Sequence, residues 1–242
     1  MHFAQAAQAP VQREADAPPG APQPRTKEAR ARRCSSCRAV LDRIRQAFVE
    51  APLAPEPTRD YLATHTPDDP APVLALLHEN LTDYRAIVHR STHAQLPALT
   101  AELLERHGAR TVAVPSGLPA AWLGASTAKQ RHDEDASLTP HDLDTTDAVV
   151  SGCALAIAET GTLILDGSPG QGRRALTLVP GLHLCIVLAD QVVASVLQAL
   201  PRLDPARPQT WISGPSATSD IELDRVEGVH GPRQLEVVIV SL

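Results

Sequence analysis

Six short runs of apolar and β-branched residues constrain the fold of this chain more than any other feature. They are Thr111–Val114, Asp147–Ser151, Thr162–Leu165, Leu182–Ala189, Thr210–Ser213 and Leu235–Ser241. Strands that are buried on both faces of a sheet have this near-continuous pattern without alternation. Helical patterns at His93–His107 and Asp190–Leu200 lie between some of the runs, whereas the polar stretch 125–146 is typical of a loop. This order predicts an α/β fold with a largely parallel sheet flanked by helices.

Composition divides the chain into three regions. Residues 1–26 are rich in Ala, Pro and Gln without a hydrophobic period, and we expect a disordered tail there. A helix is predicted at 27–49, because Cys34, Cys37, Leu41, Ile44 and Phe48 recur at steps of three and four residues. Prolines at 52, 55 and 57 end that pattern. We therefore expect an N-terminal helical appendage with a Pro-rich linker at 27–58 and the α/β domain at 59–242.

Charge and hydropathy exclude two classes of function. Residues 25–45 carry eight cations and two acids, so the rest of the chain has a net charge of −12 against −6 for the whole. A nucleic-acid-binding domain usually has a basic face, so no nucleic-acid partner is expected. No run reaches the roughly 18 apolar residues of a membrane span. The start of the chain also lacks the apolar segment of a secretory signal, and the cytoplasm is the expected compartment.

The four cysteines offer one tempting pair, Cys34-Ser-Ser-Cys37. A structural zinc or a four-iron cluster needs four ligands, and no second such pair is present in the sequence. Packing on the apolar face of the helix predicted at 27–49 is favoured for this pair, and a redox or metal role is the alternative. Cys153 and Cys185 have apolar neighbours and are expected in the core. The acidic and histidine residues of 132–144 lack a fixed ligand spacing, so no metal site is predicted.

Two segments in the second half contain candidate binding groups. Ala158-Glu159-Thr-Gly-Thr-Leu163 places a carboxylate where a buried strand begins, so its pKa is open to shifts from desolvation and neighbouring charge. Gly167-Ser-Pro-Gly-Gln-Gly-Arg-Arg174 combines three glycines with two arginines, a set that suits an anion. A capped turn is the alternative for the first segment, and a plain connecting loop is the alternative for the second.

Two further segments contain hydroxyl, acidic and imidazole groups. Ser213-Gly-Pro-Ser-Ala-Thr-Ser-Asp-Ile-Glu222 follows a predicted strand, and ligands bind at the carboxyl ends of parallel strands. Gly228-Val-His-Gly-Pro-Arg233 precedes the last strand and contains His230. Ser and Asp also form turns without any ligand. A lone histidine before a buried strand, such as His183, is expected to be a satisfied structural group.

The order and spacing of four motifs resemble those of the LUD-domain family. The motifs are Ala158–Leu163, Pro180-Gly-Leu-His183, Ser213–Glu222 and Gly228–Arg233, and the resemblance is strong over 147–242 and looser over 60–146. It implies a fold similar to the phosphosugar-isomerase and CoA-transferase superfamily. It also implies a role in oxidising L-lactate to pyruvate with two iron–sulfur partner subunits, which would hold the clusters because this chain would bind no cofactor alone. Ala217 stands where the family is expected to have a basic residue.

The resemblance and the four segments together define a candidate site for a small carboxylate. Glu159 and His230 are the catalytic candidates, as acceptors of the hydroxyl proton. The candidate substrate-binding residues are Thr160, Gly161, Thr162, Gly172, Arg173, Arg174, Ser213, Gly214, Ser216, Thr218 and Asp220.

Two alternatives remain open for the function. One is a stand-alone acyl- or CoA-transferring enzyme with Glu159 as nucleophile, since Glu159-Thr-Gly161 resembles the Glu-Asn-Gly turn of CoA-transferases. The other is a scaffold or regulatory subunit that docks through the helix at 27–49.

Overall fold

A computed structural model of the chain describes residues 27–50, 56, 58, 62, 69–218, 226–227 and 231–241. The chain divides into two compact units, Met1–Arg59 and Asp60–Leu242, and each is described by itself. The first unit includes helix α1 (Lys27–Glu50), which matches the helix predicted at 27–49. The tail at 1–26 and the side chains of Cys34 and Cys37 lie outside the described part, so their order and packing stay predictions.

The second unit consists of short strands and helices. In chain order they are α2 (Pro70–Asp83), β1 (Ile87–Thr92), α3 (Leu96–Arg106), β2 (Thr111–Pro115), β3 (Lys129–Asp133), α4 (Pro140–Asp144), β4 (Ala148–Gly152), β5 (Leu155–Ile157), β6 (Thr162–Leu165), β7 (Leu182–Leu188), β8 (Val192–Val193), α5 (Val196–Ala199), β9 (Thr210–Ile212), β10 (Ala217–Thr218), β11 (Val226–Glu227) and β12 (Gln234–Ser241). Six strands form one sheet in the order β1-β12-β7-β4-β2-β3, and all of its pairings are parallel. The predicted α/β fold with a largely parallel sheet flanked by helices is confirmed.

Apolar side chains cover both faces of this sheet. Leu77 and Leu81 of α2 are fully buried against one face, together with apolar residues of β5 and β6. Leu103 and Leu104 of α3 are buried against the other face. Burial on both sides explains why the central strands are continuous apolar runs, since all five residues of β4 are buried.

A second sheet has the order β8-β5-β6-β9 and is mostly antiparallel. The predicted strands at Thr162–Leu165 and Thr210–Ser213 are present, but they belong to this sheet and not to the parallel one. Consecutive strands joined by a short turn pair as an antiparallel hairpin, which explains the pairing of β5 with β6. The expectation that Ser213 follows the carboxyl end of a parallel strand is therefore wrong, because β9 pairs antiparallel with β6.

Two other local predictions are wrong. The stretch 125–146 is not a loop, since it contains the edge strand β3 and the short helix α4, which Thr139 caps. The polar sequence of β3 does not have the pattern of a buried strand, because an edge strand keeps solvent-exposed residues. Asp190–Leu200 is not one helix either. The β-branched pair of β8 interrupts it, and Ser195 then caps α5.

A buried carboxylate joins three elements near the start of the last strand. Glu236 of β12 is fully buried. Its Oε2 lies 2.5 Å from Nε2 of His89 in β1, and its Oε1 lies 2.6 Å from Nε2 of His107, which caps α3. Because a buried carboxylate needs partners for both oxygens, this pair of histidines makes the charged residue compatible with the sheet.

Candidate functional site

The Glu159–Thr162 segment forms the turn between β5 and β6. Glu159 is half-buried, and its N–H donates to the carbonyl oxygen of Ala194 over 3.0 Å. Nδ2 of Asn80, in the C-terminal part of α2, donates to the Ala158 oxygen over 2.8 Å. Gly161 has φ +55°, and a Cβ added there would lie 2.8 Å from the Asn80 carbonyl carbon. The turn therefore requires glycine both for its left-handed backbone and for its close approach to α2.

Three hydroxyl groups form a chain beside this turn. Oγ1 of the buried Thr162 lies 2.8 Å from Oγ1 of Thr160 and 2.8 Å from Oγ of Ser213. Thr160 and Ser213 are both exposed. Gly214 follows with φ +81°, where an added Cβ would lie 2.2 Å from the backbone oxygen of Tyr84. The hydroxyls of Thr160 and Ser213 are thus accessible to a polar ligand, and the buried hydroxyl of Thr162 holds both in place.

The remaining motifs meet the same region through backbone hydrogen bonds. The Ser216 N–H donates to the Pro232 oxygen, and the Arg233 N–H donates to the Gly181 oxygen, each over 2.9 Å. We call Glu159–Thr162, Pro180–His183, Ser213–Ser216 and Gly231–Arg233 the motif cluster. Hydrogen bonds connect Thr162 with Ser213, Ser216 with Pro232, and Arg233 with Gly181. The four segments are thereby connected in a series.

Three of the predicted site residues follow Ser216 or precede Gly231 in the sequence. The backbone of Thr218 lies in β10, which pairs with β11. The Thr218 side chain, Asp220 and His230 lie outside the described residues, so their predicted roles stay predictions.

His183 of the motif cluster has a structural partner. Its Nε2 lies 2.7 Å from Oγ of Ser151, and both side chains are buried. Burial, helped by the positive charge of Arg174, lowers the pKa of His183 to about 4. The imidazole is therefore neutral near pH 7 and accepts or donates one hydrogen bond inside the core, which confirms the prediction of a satisfied structural histidine.

The two adjacent arginines have different environments. Nη1 of Arg174 donates to the oxygen and to Oγ1 of Thr177, over 3.1 and 3.0 Å, and its charge acts on His183 of the motif cluster. Arg173 instead donates from Nε and Nη2 to both oxygens of Asp133, and from Nη2 to the Leu138 oxygen.

The partner of Arg173 is an internal carboxylate. The Asp133 side chain is only 3% exposed. Burial alone would raise its pKa, but the hydrogen bonds from Arg173 and the Leu138 N–H hold that pKa below its usual value. Asp133 therefore stays ionised, and Arg173 is engaged with it.

The glycine loop at 167–172 lies at the carboxyl ends of two central strands. The Gly170 N–H donates to the Ser116 oxygen after β2, and the Gly152 N–H of β4 donates to the Gly170 oxygen. The chain leaves β2 and β4 toward opposite edges of the sheet, and such a switch in direction is where open α/β sheets form a crevice. Here the crevice is a cleft of about 620 Å³ that Gly172 and Arg173 help to line.

Arg207 is the second cation of this cleft. Its Nη1 donates to Oγ of Ser168 over 2.5 Å, and the carboxylates of Asp166 and Asp204 lie 3.7 and 3.8 Å away. The cleft thus combines two arginines with the two acids Asp133 and Asp166. This balance gives it no excess of positive charge.

The structure separates the predicted site into two places. Glu159 precedes β6 and the glycine loop follows it, so they stand at opposite ends of a four-residue strand, on the order of 10 Å apart. A three-carbon acid cannot contact both. Glu159, Thr160, Gly161, Thr162, Ser213, Gly214 and Ser216 belong to the motif cluster, whereas Gly172 and Arg173 line the cleft.

Several residues around these places were absent from the sequence-based prediction. Asn80 holds the Glu159 turn, Asp133 holds Arg173, and Arg207 lines the cleft. None belongs to a recognisable motif, and each is distant in sequence from the segment it contacts. Asp133 lay in a polar run whose composition favoured a solvated loop.

Metal ligands and membrane spans can be assessed for the described residues. Within them, three or more His, Cys, Asp or Glu side chains do not gather in a way that could hold a metal ion. Among the same residues, every helix is too short or too polar to cross a bilayer.

Comparison with known proteins identifies relatives of this chain. A family model described as the LUD domain matches residues 74–240. Lactate utilization protein C from Deinococcus radiodurans is 46% identical over 175 residues, which cover 71% of this chain and 81% of that protein. Lactate utilization protein C from an Exiguobacterium species is 30% identical over 221 residues, covering 83% and 94%. The crystal structure of a DUF162-family protein from Deinococcus radiodurans is 39% identical, has a TM-score of 0.60, and is matched over 72% of this chain and 99% of that one.

Proposed function

Because the chain belongs to the LUD-domain family, we propose that it acts in lactate utilisation, as a subunit in the oxidation of L-lactate to pyruvate. The names of its relatives from two bacteria support the pathway. The motif cluster is the observation that supports a binding site, because hydrogen bonds connect the family motifs and two hydroxyls, those of Thr160 and Ser213, are exposed beside the Glu159 turn. L-lactate offers a carboxylate and a hydroxyl, which suit such groups.

The candidate residues of this site are assigned the following roles. Arg174 is exposed and uses Nη1 on Thr177, so its other N–H donors can pair with the lactate carboxylate. Thr162 has a single O–H and can donate to only one of its two neighbours, so one of Thr160 and Ser213 donates to Thr162 and accepts from the ligand, whereas the other can donate to the ligand. Glu159 accepts the hydroxyl proton, and His230 is the second candidate for that role. Arg173 is paired with Asp133 and is therefore assigned a structural role in the cleft.

The electrons from lactate need a separate acceptor. Oxidation to pyruvate removes two electrons, the hydroxyl proton and the Cα proton. Glu159 takes the hydroxyl proton, and we assign the Cα proton to a base of the two partner subunits and the two electrons to their iron–sulfur clusters. The positions of Cys153 and Cys185 support this division, because both thiols are buried among apolar residues of the core. The cytoplasm stays the predicted compartment.

Reconstitution tests the proposal. The purified chain is mixed with the iron–sulfur proteins of the same lactate-utilisation system, and lactate-dependent reduction of a dye is followed. We expect activity only in the mixture, and Glu159→Gln lowers it about 100-fold or more, as the loss of a general base does. Glu102→Gln, an exposed acid of α3 outside the cluster, is the matched control and leaves the rate unchanged.

Two results would refute the assignment. Full lactate oxidation by the partners without this chain would remove its role in the pathway. Incubation with an acyl-CoA, followed by intact-mass measurement, examines the other use of Glu159. An acyl adduct on the wild type that is missing from Glu159→Gln would identify an acyl-transferring enzyme instead.

A further inference from the structure

Helix α1 has the spacing of a helix-pairing seam. Its apolar positions 34, 37, 41, 44 and 48 alternate steps of three and four residues, which is the a/d repeat of a heptad. Val40 and Ala47 add an apolar position to two of these heptads, on one side of the seam only. With 24 residues, α1 is about 36 Å long, so the seam spans a little over half of it.

The described side chains of this seam are exposed. Leu41, Ile44 and Phe48 are 50%, 46% and 75% exposed, and every residue from 38 to 49 is exposed. A line of three large apolar side chains in water is typical of a surface that another chain covers.

The charges at the positions that flank the seam indicate which kind of partner it can bind. These positions are Arg33, Arg38, Val40, Arg45 and Ala47, so three are basic and none is acidic. In a parallel pair of two copies, Arg33 would face Arg38 of the other copy. In an antiparallel pair, Arg38 and Arg45 would face arginines again. Like charges at these positions oppose self-association, whereas acidic flanks on a partner would form interhelical ion pairs.

We propose that this seam docks an amphipathic helix of another protein, with aliphatic residues at its own seam and Asp or Glu at the flanks. The inference goes beyond the proposed function and does not depend on it. The heptad spacing of the seam favours a partner helix over a membrane surface, because a membrane has no matching repeat, and membrane binding is one outcome of the test below.

A designed peptide tests the docking with the full-length chain under reducing conditions. The probe is a fluorescent 24-residue helix with Leu and Ile at a and d and Glu at e and g. A second peptide with Lys at e and g is the control. We expect the Glu peptide to bind at least about tenfold more tightly than the Lys peptide, and added salt to reduce that preference.

Substitutions in the chain sharpen the test. Ile44→Asp lowers affinity for the Glu peptide about tenfold or more, whereas Gln46→Asp, on the face opposite the seam, changes it less than about threefold. Arg38→Glu with Arg45→Glu keeps the apolar seam and reverses the preference, so that the Lys peptide binds better. Circular dichroism verifies that each variant keeps its helix content.

Three outcomes would overturn the proposal. The first is equal affinity for the two peptides or no loss with Ile44→Asp. The second is a dimer in light scattering that Ile44→Asp converts to a monomer, which would make a second copy the occupant. The third is binding to vesicles of anionic phospholipid without binding to the Glu peptide.

Discussion

Acidification removes a specific part of the stability of this protein through His183. The folded-state pKa of about 4 lies below the ordinary value of 6.5. Between these values the unfolded chain binds a proton that the folded chain does not bind. The free energy of unfolding therefore rises with pH across this window, and it falls as the pH drops from about 6.5 to about 4.

The magnitude follows from the two pKa values. Linkage gives a loss of about 2 kcal/mol at pH 5 and about 3 kcal/mol at pH 4, relative to neutral pH. Since a domain of this kind has a total stability of about 5–15 kcal/mol, the loss is large enough to measure. His183→Gln is the matched variant, because its amide oxygen can still accept a hydrogen bond from Ser151 and does not titrate.

Urea unfolding followed by circular dichroism at pH 7, 6, 5 and 4 provides the assay. The wild type should lose about 3 kcal/mol more than His183→Gln over this range. Asp133, Asp147 and Asp166 have lowered pKa values, so their contributions are lost only as the pH falls below about 4, and they are common to both proteins. Parallel stability curves for the two proteins would refute the reasoning.

Three substitutions test other contacts by the same urea assay at pH 7. Gly161→Ala should lower the free energy of unfolding by about 2–3 kcal/mol, since both its left-handed backbone and its close approach to α2 oppose a Cβ. Gly108→Ala, with φ +64° and nothing within 4 Å of the added Cβ, should lower it by only about 1 kcal/mol, and equal losses would show that the approach to α2 does not matter. Glu236→Ala should cost about 3 kcal/mol, because two partly buried imidazoles lose their partner; a loss below about 1 kcal/mol would show that the pair contributes little. Asp133→Asn should cost about 2 kcal/mol, less than a fully buried pair because its arginine is 34% exposed; an unchanged midpoint would contradict this.

Apolar runs and motif order predicted the central fold and the family. The strands β4, β7 and β12 are short, continuous and buried on both faces, which is a pattern that burial itself imposes on a sequence. Motif order identified the LUD-domain family, and the family match confirms it. The strands depend on information within single segments of the chain, and the family depends on the linear order of four such segments.

The errors concern relations between segments. β3 reads Lys-Gln-Arg-His-Asp, and only its pairing with β2 makes it a strand. Whether β6 joins the parallel sheet or forms a hairpin with β5 depends on the direction in which the chain leaves β4, which no local pattern encodes. The same fact divided the predicted site, because that hairpin turns Glu159 away from Arg173. The sequence could suggest candidate groups but not which of them lie close together in the fold.

The place of the last strand in the sheet has a consequence for biosynthesis. β1 is an edge strand whose neighbour is β12, and the two meet through side chains 147 residues apart in the sequence. On the ribosome, β1 must therefore wait with an unpaired edge until residue 241 has emerged. Pairings of such high sequence separation also form slowly. Loss of Gln234–Ser241, by truncation or premature termination, would remove the strand between β1 and β7 and leave two sheet edges open to aggregation.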